Sequence, residues 1–248
     1  HEKFIKKLTN YVPLKNIFSV PGNHDFNRTI VETEFADHDE IKSKEYQETE
    51  FNEFVKSENN LLQKKFTYYS DFCTTKLVKD KYNVYGFSEL LIPEISVFCL
   101  NSALLSCGGY NKIDDSGKLK IETSELNKWI QENEGRTKIL VMHHPIEHLS
   151  AFAQREIKAI LRSRSINILI SGHIHDQEID SNYVSNETYY IKCSSPQLFS
   201  NKKDLNGYAI LCFEEQELTK IEYRQWSSRQ RKFMSGQEFS GTDNGVVK

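Results

Sequence analysis

The chain has 248 residues, with 32 Lys+Arg against 35 Asp+Glu and a formal net charge of −3. Charged residues make up 27% and aromatic ones 12%, which excludes a disordered chain. That balance also excludes a global basic field for capturing nucleic acid, and no apolar run approaches the ~18–20 residues of a membrane span, so a soluble domain is expected.

In chain order, residues 2–11 place Phe4, Ile5 and Leu8 on one helical stripe that stops before Pro13. Residues 16–20 (NIFSV) predict a short strand running into Pro21-Gly22. The stretch 28–65 holds ten acids and six bases, and residues 29–65 contain no glycine, so this region reads as a polar helical insertion. Phe51, Phe54, Val55, Leu61 and Leu62 recur there at helical spacing, broken by Glu58. That pattern predicts an amphipathic helix covering part of the body, with a functional cap as the alternative.

Strand-like runs follow at 66–72 (FTYYSDF), 82–87 and 95–101, then a loop at 106–118. A helix is predicted over 124–134, with Thr123 or Ser124 as N-cap, Leu126, Trp129 and Ile130 as its buried stripe and Gly135 past its end. Residues 138–142 (KILVM) and 166–170 (INILI) read as buried strands. Between them, Ala153, Ile157, Ile160 and Leu161 form the inner face of a helix. From 183 onward strands run together, and 234–248 reads as a flexible tail. No repeat or second-domain linker is visible, so residues 1–233 are read as one domain. Helix and strand alternate and then strands cluster, which predicts a two-sheet α/β sandwich.

The five cysteines, Cys73, Cys99, Cys107, Cys193 and Cys212, are odd in number, scattered and free of any Cys-x-x-Cys pair. Buried free thiols in a reducing, cytoplasmic setting are expected rather than disulfides or a zinc knuckle.

Five of the eight histidines fall in three tight clusters, each just after a predicted strand. These are Pro21-Gly22-Asn23-His24-Asp25, His143-His144-Pro145 and Gly172-His173-Ile174-His175. Loops at the C-terminal ends of strands in an α/β sheet converge on one crevice. Imidazoles and an Asn carbonyl delivered there predict a metal site. In His-x-His an extended backbone puts both rings on one side, and the preceding glycine is expected to let the chain turn sharply. A metallo-β-lactamase pattern needs His-x-His-x-Asp-His early in the chain, whereas Asp176 directly follows His175 and the segment lies late. Amidohydrolase barrels likewise place His-x-His on an early strand.

The three blocks Gly22-Asn23-His24-Asp25, His143 at a strand end and Gly172-His173-Ile174-His175 match the last three motifs of the calcineurin-like metallophosphoesterase superfamily. The chain resembles that family over roughly residues 1–230. The family's Asp-x-His and Gly-Asp-x-x-Asp motifs are absent, and the one nearby candidate, Asp37-His38-Asp39, lies after the Asn-His block in a polar, helix-like stretch. The resemblance implies an αββα sandwich lacking its first two strands in this chain, together with the bridging carboxylate they carry. An isolated chain of this kind is expected to be nearly inactive.

The resemblance also assigns roles. Asn23, His143 and His173 look like ligands of one divalent ion and His175 like a ligand of a second, with Mn, Fe or Zn all suited to the mixed N/O set. His143 is preferred to His144 because it directly ends the strand. Two ions about 3.5–4 Å apart activate a bridging hydroxide for in-line attack on a phosphodiester or phosphomonoester. His24 resembles the catalytic imidazole that protonates the leaving oxygen or stabilises transition-state charge. Asp25 either holds the His24 ring or caps the turn. The implied partner is a phosphate ester, nucleotides and nucleic acid among the candidates, with no membrane partner. Residues 218–233 carry five bases, one acid and interleaved Tyr223, Trp226 and Phe233, which reads as a nucleic-acid surface or as an edge strand protected by charge. Arg28 is read as a solvated side chain, with a phosphate contact as the alternative. A non-catalytic module that keeps the fold for binding is the alternative to the enzyme.

Overall fold

A computed structural model describes residues 2–34, 48–57, 59–79, 82–107, 115–173, 188–192, 207–236 and 243–247. Helix α1 (Glu2–Leu8) is followed by a 3-10 turn at Leu14–Asn16. Helices α2 (Arg28–Glu34), α3 (Glu48–Ser57), α4 (Asn59–Lys65) and α5 (Thr67–Asp71) come next, the last running into a π-helical turn at Phe72–Lys76. The first sheet and its helices comprise β1 (Gly86–Ile92), β2 (Ile95–Leu100), α6 (Ser124–Glu132), β3 (Thr137–Met142), α7 (Ala151–Arg162), β4 (Ile168–Ser171) and β5 (Tyr189–Lys192). The second sheet holds β6 (Gly207–Glu214), β7 (Glu217–Ser227), β8 (Lys232–Ser235) and β9 (Val246–Val247). No described helix is long and apolar enough to cross a membrane.

Strands β1 to β5 lie in sequence order, β1 antiparallel to β2 and the rest parallel. The second sheet is antiparallel, with β6 and β8 on either side of β7 and β9 also on β7. Parallel strands covered on both faces read as continuous apolar runs, and β2 and β3 obey this. On β2, Val97 and Cys99 face the second sheet, where Ile221 and Tyr223 meet them. Phe98 and Leu100 face the other way, onto Leu126 and Trp129 of α6 and Ile157 and Leu161 of α7. Trp129 donates its indole N–H to Ser96 Oγ at 2.7 Å, so the buried ring loses no hydrogen bond. The result is the mixed α/β, two-sheet arrangement expected from the sequence.

Three local readings change. Residues 66–72 are helical rather than extended: Phe66, Tyr69 and Cys73 are buried along one side of α5 and its π-helical turn. Thr67, Thr74 and Thr75 return their hydroxyls to carbonyls three or four residues back, so packing overrides the β preference of these residue types. Residues 17–20 join no described ladder, although Phe18 and Val20 still pack into the inter-sheet core. Within the C-terminal stretch read as a tail, Val246 and Val247 pair with Glu222 and Ile221 of β7. Helix α6 behaves as read, with Gly135 at φ +79° just beyond it, but Glu122 supplies the cap by accepting from Ser124 N–H at 2.9 Å. Cys73, Cys99, Cys107 and Cys212 are free thiols, burial pushes Cys73 up to about 11, and Cys193 lies outside the described residues.

Helices α2 to α5 pack Val31, Phe51, Val55, Leu62 and Phe66 over Ala103–Leu105, the segment that leaves β2. At the centre of this packing Lys65 is fully buried and donates to Leu104 O and Ser106 O, both at 2.7 Å, with its ammonium 4.6 Å from the centre of the Phe26 ring. A lysine rarely occupies such a place, and it does so here by donating to two backbone carbonyls. Lys65→Met keeps the volume but leaves two buried carbonyls without this donor. It should lower unfolding free energy by about 1–3 kcal/mol per orphaned group, read from denaturant midpoints.

Candidate metal centre

Strand register brings the histidine segments together. Leu100, Met142 and Ser171 are cross-strand partners in β2, β3 and β4, so the chain leaves all three strands at one edge. There Gly172 N–H donates to His143 O at 2.9 Å, tying the two histidine loops to each other. A tight turn at residues 22–25 meets them, where Asp25 N–H donates to Gly22 O at 3.1 Å and Gly22 N–H to Asp25 Oδ2 at 2.9 Å.

The turn separates its two central side chains. Asn23 points its Oδ1 to within 3.2 Å of His143 Nε2, and His173 Nδ1 reaches the same nitrogen at 3.0 Å. His24 is exposed and turns away, its Nδ1 lying 3.1 Å from an Arg28 guanidinium nitrogen. A guanidinium only donates, so Nδ1 of His24 accepts and the ring proton sits on Nε2. Arg28, read as solvated, therefore holds the ring. Asp25 takes the turn-capping role and gives its carboxylate to Gly22, not to His24.

Glycine at position 22 has a steric reason rather than a conformational one. A Cβ there would sit 2.9 Å from His143 Cε1 and 3.0 Å from Nδ1. At the other glycine the sharp turn is taken by His173 itself, at φ +71°, and not by Gly172. Left-handed backbone at a residue other than glycine costs energy and concentrates at working sites. Gly22→Ala is expected to push the His143 ring aside and weaken divalent-metal binding by about 10–100-fold, the range for losing a group that orients a ligand. Metal titration followed by calorimetry reads this directly.

Behind His143 lies His144, with no exposed surface. Ser102 Oγ accepts from the His144 backbone N–H and lies 3.0 Å from its Nδ1, while Nε2 is buried without a partner. Burial first, then the rings of His143, His173 and His148, push the His144 pKa down to about 2, so this imidazole stays neutral. The His148 ring stands 4.8 Å from His173 and 6.4 Å from His144, centre to centre. Ligating atoms of His143, His144 and His173 all lie within 4.8 Å of one another. Sequence reading passed over Ser102 and His148. His148 follows His144 by four residues and was visible as a further imidazole, whereas Ser102 had no signal because it arrives from β2. His175 and the Asp37-His38-Asp39 segment lie outside the described residues.

This donor set fits a divalent ion: nitrogen and oxygen atoms close on one point, an unpartnered imidazole nitrogen lies beside them, and a glycine clears the space. Residues 1–177 match the family model described as calcineurin-like phosphoesterase, and the chain belongs to that family, whose members bind divalent metals. It is 26% identical over 196 residues to the uncharacterized metallophosphoesterase-like protein YydB of Bacillus subtilis (strain 168), a match covering 75% of this chain and 39% of that protein. The chain thus spans about two fifths of the length of that curated relative.

Proposed function

We propose that this domain hydrolyses a phosphate ester, phosphodiester or phosphomonoester, at the centre built by Asn23, His143 and His173. The observation that carries this reading is the approach of Asn23 Oδ1 and His173 Nδ1 to one nitrogen of His143, within 3.2 Å and 3.0 Å. His175 completes the ligand set toward a second ion. The ions supply Lewis acidity toward the phosphoryl oxygens and the attacking water. Around them the chain's own groups act separately. His144, neutral and buried, backs the ligand pair and keeps water from behind it. His24 presents its Nε2–H edge as a hydrogen-bond donor that stabilises charge developing on the leaving oxygen, and Arg28 fixes the tautomer that points this N–H outward. In this reading residues 1–233 are the phosphoesterase unit, and helices α2 to α5 cover the segment that leaves β2.

The full-length natural protein, purified with Mn²⁺, should hydrolyse bis(4-nitrophenyl) phosphate. Activity should vanish with EDTA and return when Mn²⁺, Fe²⁺ or Zn²⁺ is restored. Hydrolysis indifferent to chelator, or none with any of the three metals, would rule the reading out.

A further inference from the structure

The basic, aromatic stretch 218–233 takes a definite shape in the second sheet. Ala209, Leu211, Ile221 and Tyr223 turn inward to the inter-sheet core, so the alternating Tyr208, Arg224 and Trp226 face outward. Phe233, opposite Trp226 on β8, joins them, its ring centre 5.2 Å from Trp226 and 4.9 Å from Tyr208. Tyr208 is 46% exposed and Phe233 43%, so both rings stand open to a ligand. Beside them the β7–β8 turn carries Arg229, Arg231 and Lys232, all exposed. We propose that this hairpin end docks a single-stranded nucleic acid, its bases stacking on Tyr208 and Phe233 and its phosphates meeting the three basic side chains. The inference rests on the phosphoesterase reading above and adds to it the class of substrate.

Charge is the first argument. Glu222, the one acid of the stretch, is taken by Lys220 and Arg224, each at 2.6 Å. Arg229, Arg231 and Lys232 have no carboxylate partner among the described residues. The turn holds them in place, with Arg231 N–H donating to Ser227 O at 2.7 Å and Gln230 N–H to Ser227 Oγ at 3.2 Å. Three like charges on one short turn repel one another, and a polyanion relieves that repulsion. The rings are the second argument. Charges that only guard an edge strand do not call for large exposed aromatic faces beside them, whereas a single strand is bound by that pairing of cations and rings. Position is the third. Thr137 Oγ1, at the start of β3, donates to Gln216 O at 2.7 Å, so β7 begins level with β3. β7 then runs 11 residues against six in β3, in the same direction along the sandwich. Its far end, with Trp226 and the basic turn, therefore lies at the end of the molecule where His143 leaves β3. Phe18 and Val20, which lead into the turn at 22–25, pack in the same core as Ile221 and Tyr223.

The test mixes the full-length metal-loaded protein with a fluorescein-labelled oligothymidylate of about 15 nucleotides, a length within the span of single-strand sites. Anisotropy extrapolated to the moment of mixing reads binding before any cleavage. The logarithm of affinity should fall with that of salt at a slope of about −2, about −0.7 for each of three phosphates. Arg229→Ser, Arg231→Ser and Lys232→Ser combined should weaken binding about 10–100-fold at about 0.1 M salt and flatten that slope. Tyr208→Leu and Phe233→Leu keep the apolar bulk and should each weaken binding about 5–150-fold. An abasic strand of equal length should bind the unmodified protein as weakly as these variants bind the normal strand. Where a Leu variant loses its circular dichroism signal, the abasic strand alone reads the stacking. The triple variant should leave turnover of bis(4-nitrophenyl) phosphate unchanged. Binding with these losses, without hydrolysis of the strand or of bis(4-nitrophenyl) phosphate, keeps the surface and removes the phosphoesterase reading. Hydrolysis of bis(4-nitrophenyl) phosphate with strand binding absent, or indifferent to the triple variant, overturns the surface and leaves the phosphoesterase reading intact. Equal affinity for the normal and abasic strands also overturns it.

Discussion

His143→Ala is expected to remove most of the bound metal and, with it, essentially all turnover. His143 Nε2 is the point on which Asn23 Oδ1 and His173 Nδ1 converge, so its loss takes the central donor from the set. Losing only an outer partner of a ligand costs about 10–100-fold in metal affinity, and losing the ligand itself should exceed that. Metal content by elemental analysis, with circular dichroism as a fold control, separates loss of the ion from loss of structure. His144→Ala should behave differently. Its ring is fully buried against Ser102, so the first effect should be destabilisation, with weaker metal binding as a consequence. If His143→Ala keeps full metal occupancy while His144→Ala loses it without unfolding, the ligand assignment passes to His144.

His24→Ala should leave metal content near that of the unmodified protein and lower turnover by roughly 10²–10³-fold, the range for losing one preorganised hydrogen-bond donor to developing charge. The ring is exposed and faces Arg28 while Asn23 faces His143, so the two neighbours serve different ends of the reaction. A nitrophenolate leaving group spreads its charge into the ring and should lose less than an alkoxide leaving group, whose charge stays on the oxygen. Arg28→Ala should give a smaller loss with the same leaving-group dependence, because it frees the ring rather than deleting it. Loss of metal in His24→Ala would reassign the residue as a ligand. An equal loss on both leaving groups would place its contact away from the leaving oxygen.

Much of the fold could be read from residue patterns. The continuous apolar runs of β2, β3 and β4 announce strands buried on both faces, and the 3.6-residue stripes of α6 and α7 announce the helices that cover them. The segment 66–72 misled because its aromatic and β-branched residues suit a strand, whereas their partners Val84 and Leu104 lie far along the chain. Buried Lys65 was equally invisible: in composition it is one more charge in a polar stretch, and only folding brings the Leu104 and Ser106 carbonyls to it.

The sequence by itself determined the donors. Asn23, His143, His173 and His175 each follow an apolar run or its turn, and residue type and placement suffice to expect a metal site, because ligand chemistry resides in the side chain. Phosphoester chemistry and the role of His24 followed from the resemblance of the three blocks to the family. Which groups meet was decided only by the tertiary structure. Strand register brought His143 beside His173, steric contact explained Gly22, and the turn at 22–25 sent Asn23 and His24 in different directions. It also gave Asp25 to a backbone N–H and Arg28 to the His24 ring, exchanging the partners that adjacency along the chain suggested. The physical reason is that hydrogen bonds and close packing depend on positions within a few tenths of an ångström, and long-range register, not local sequence, sets those positions.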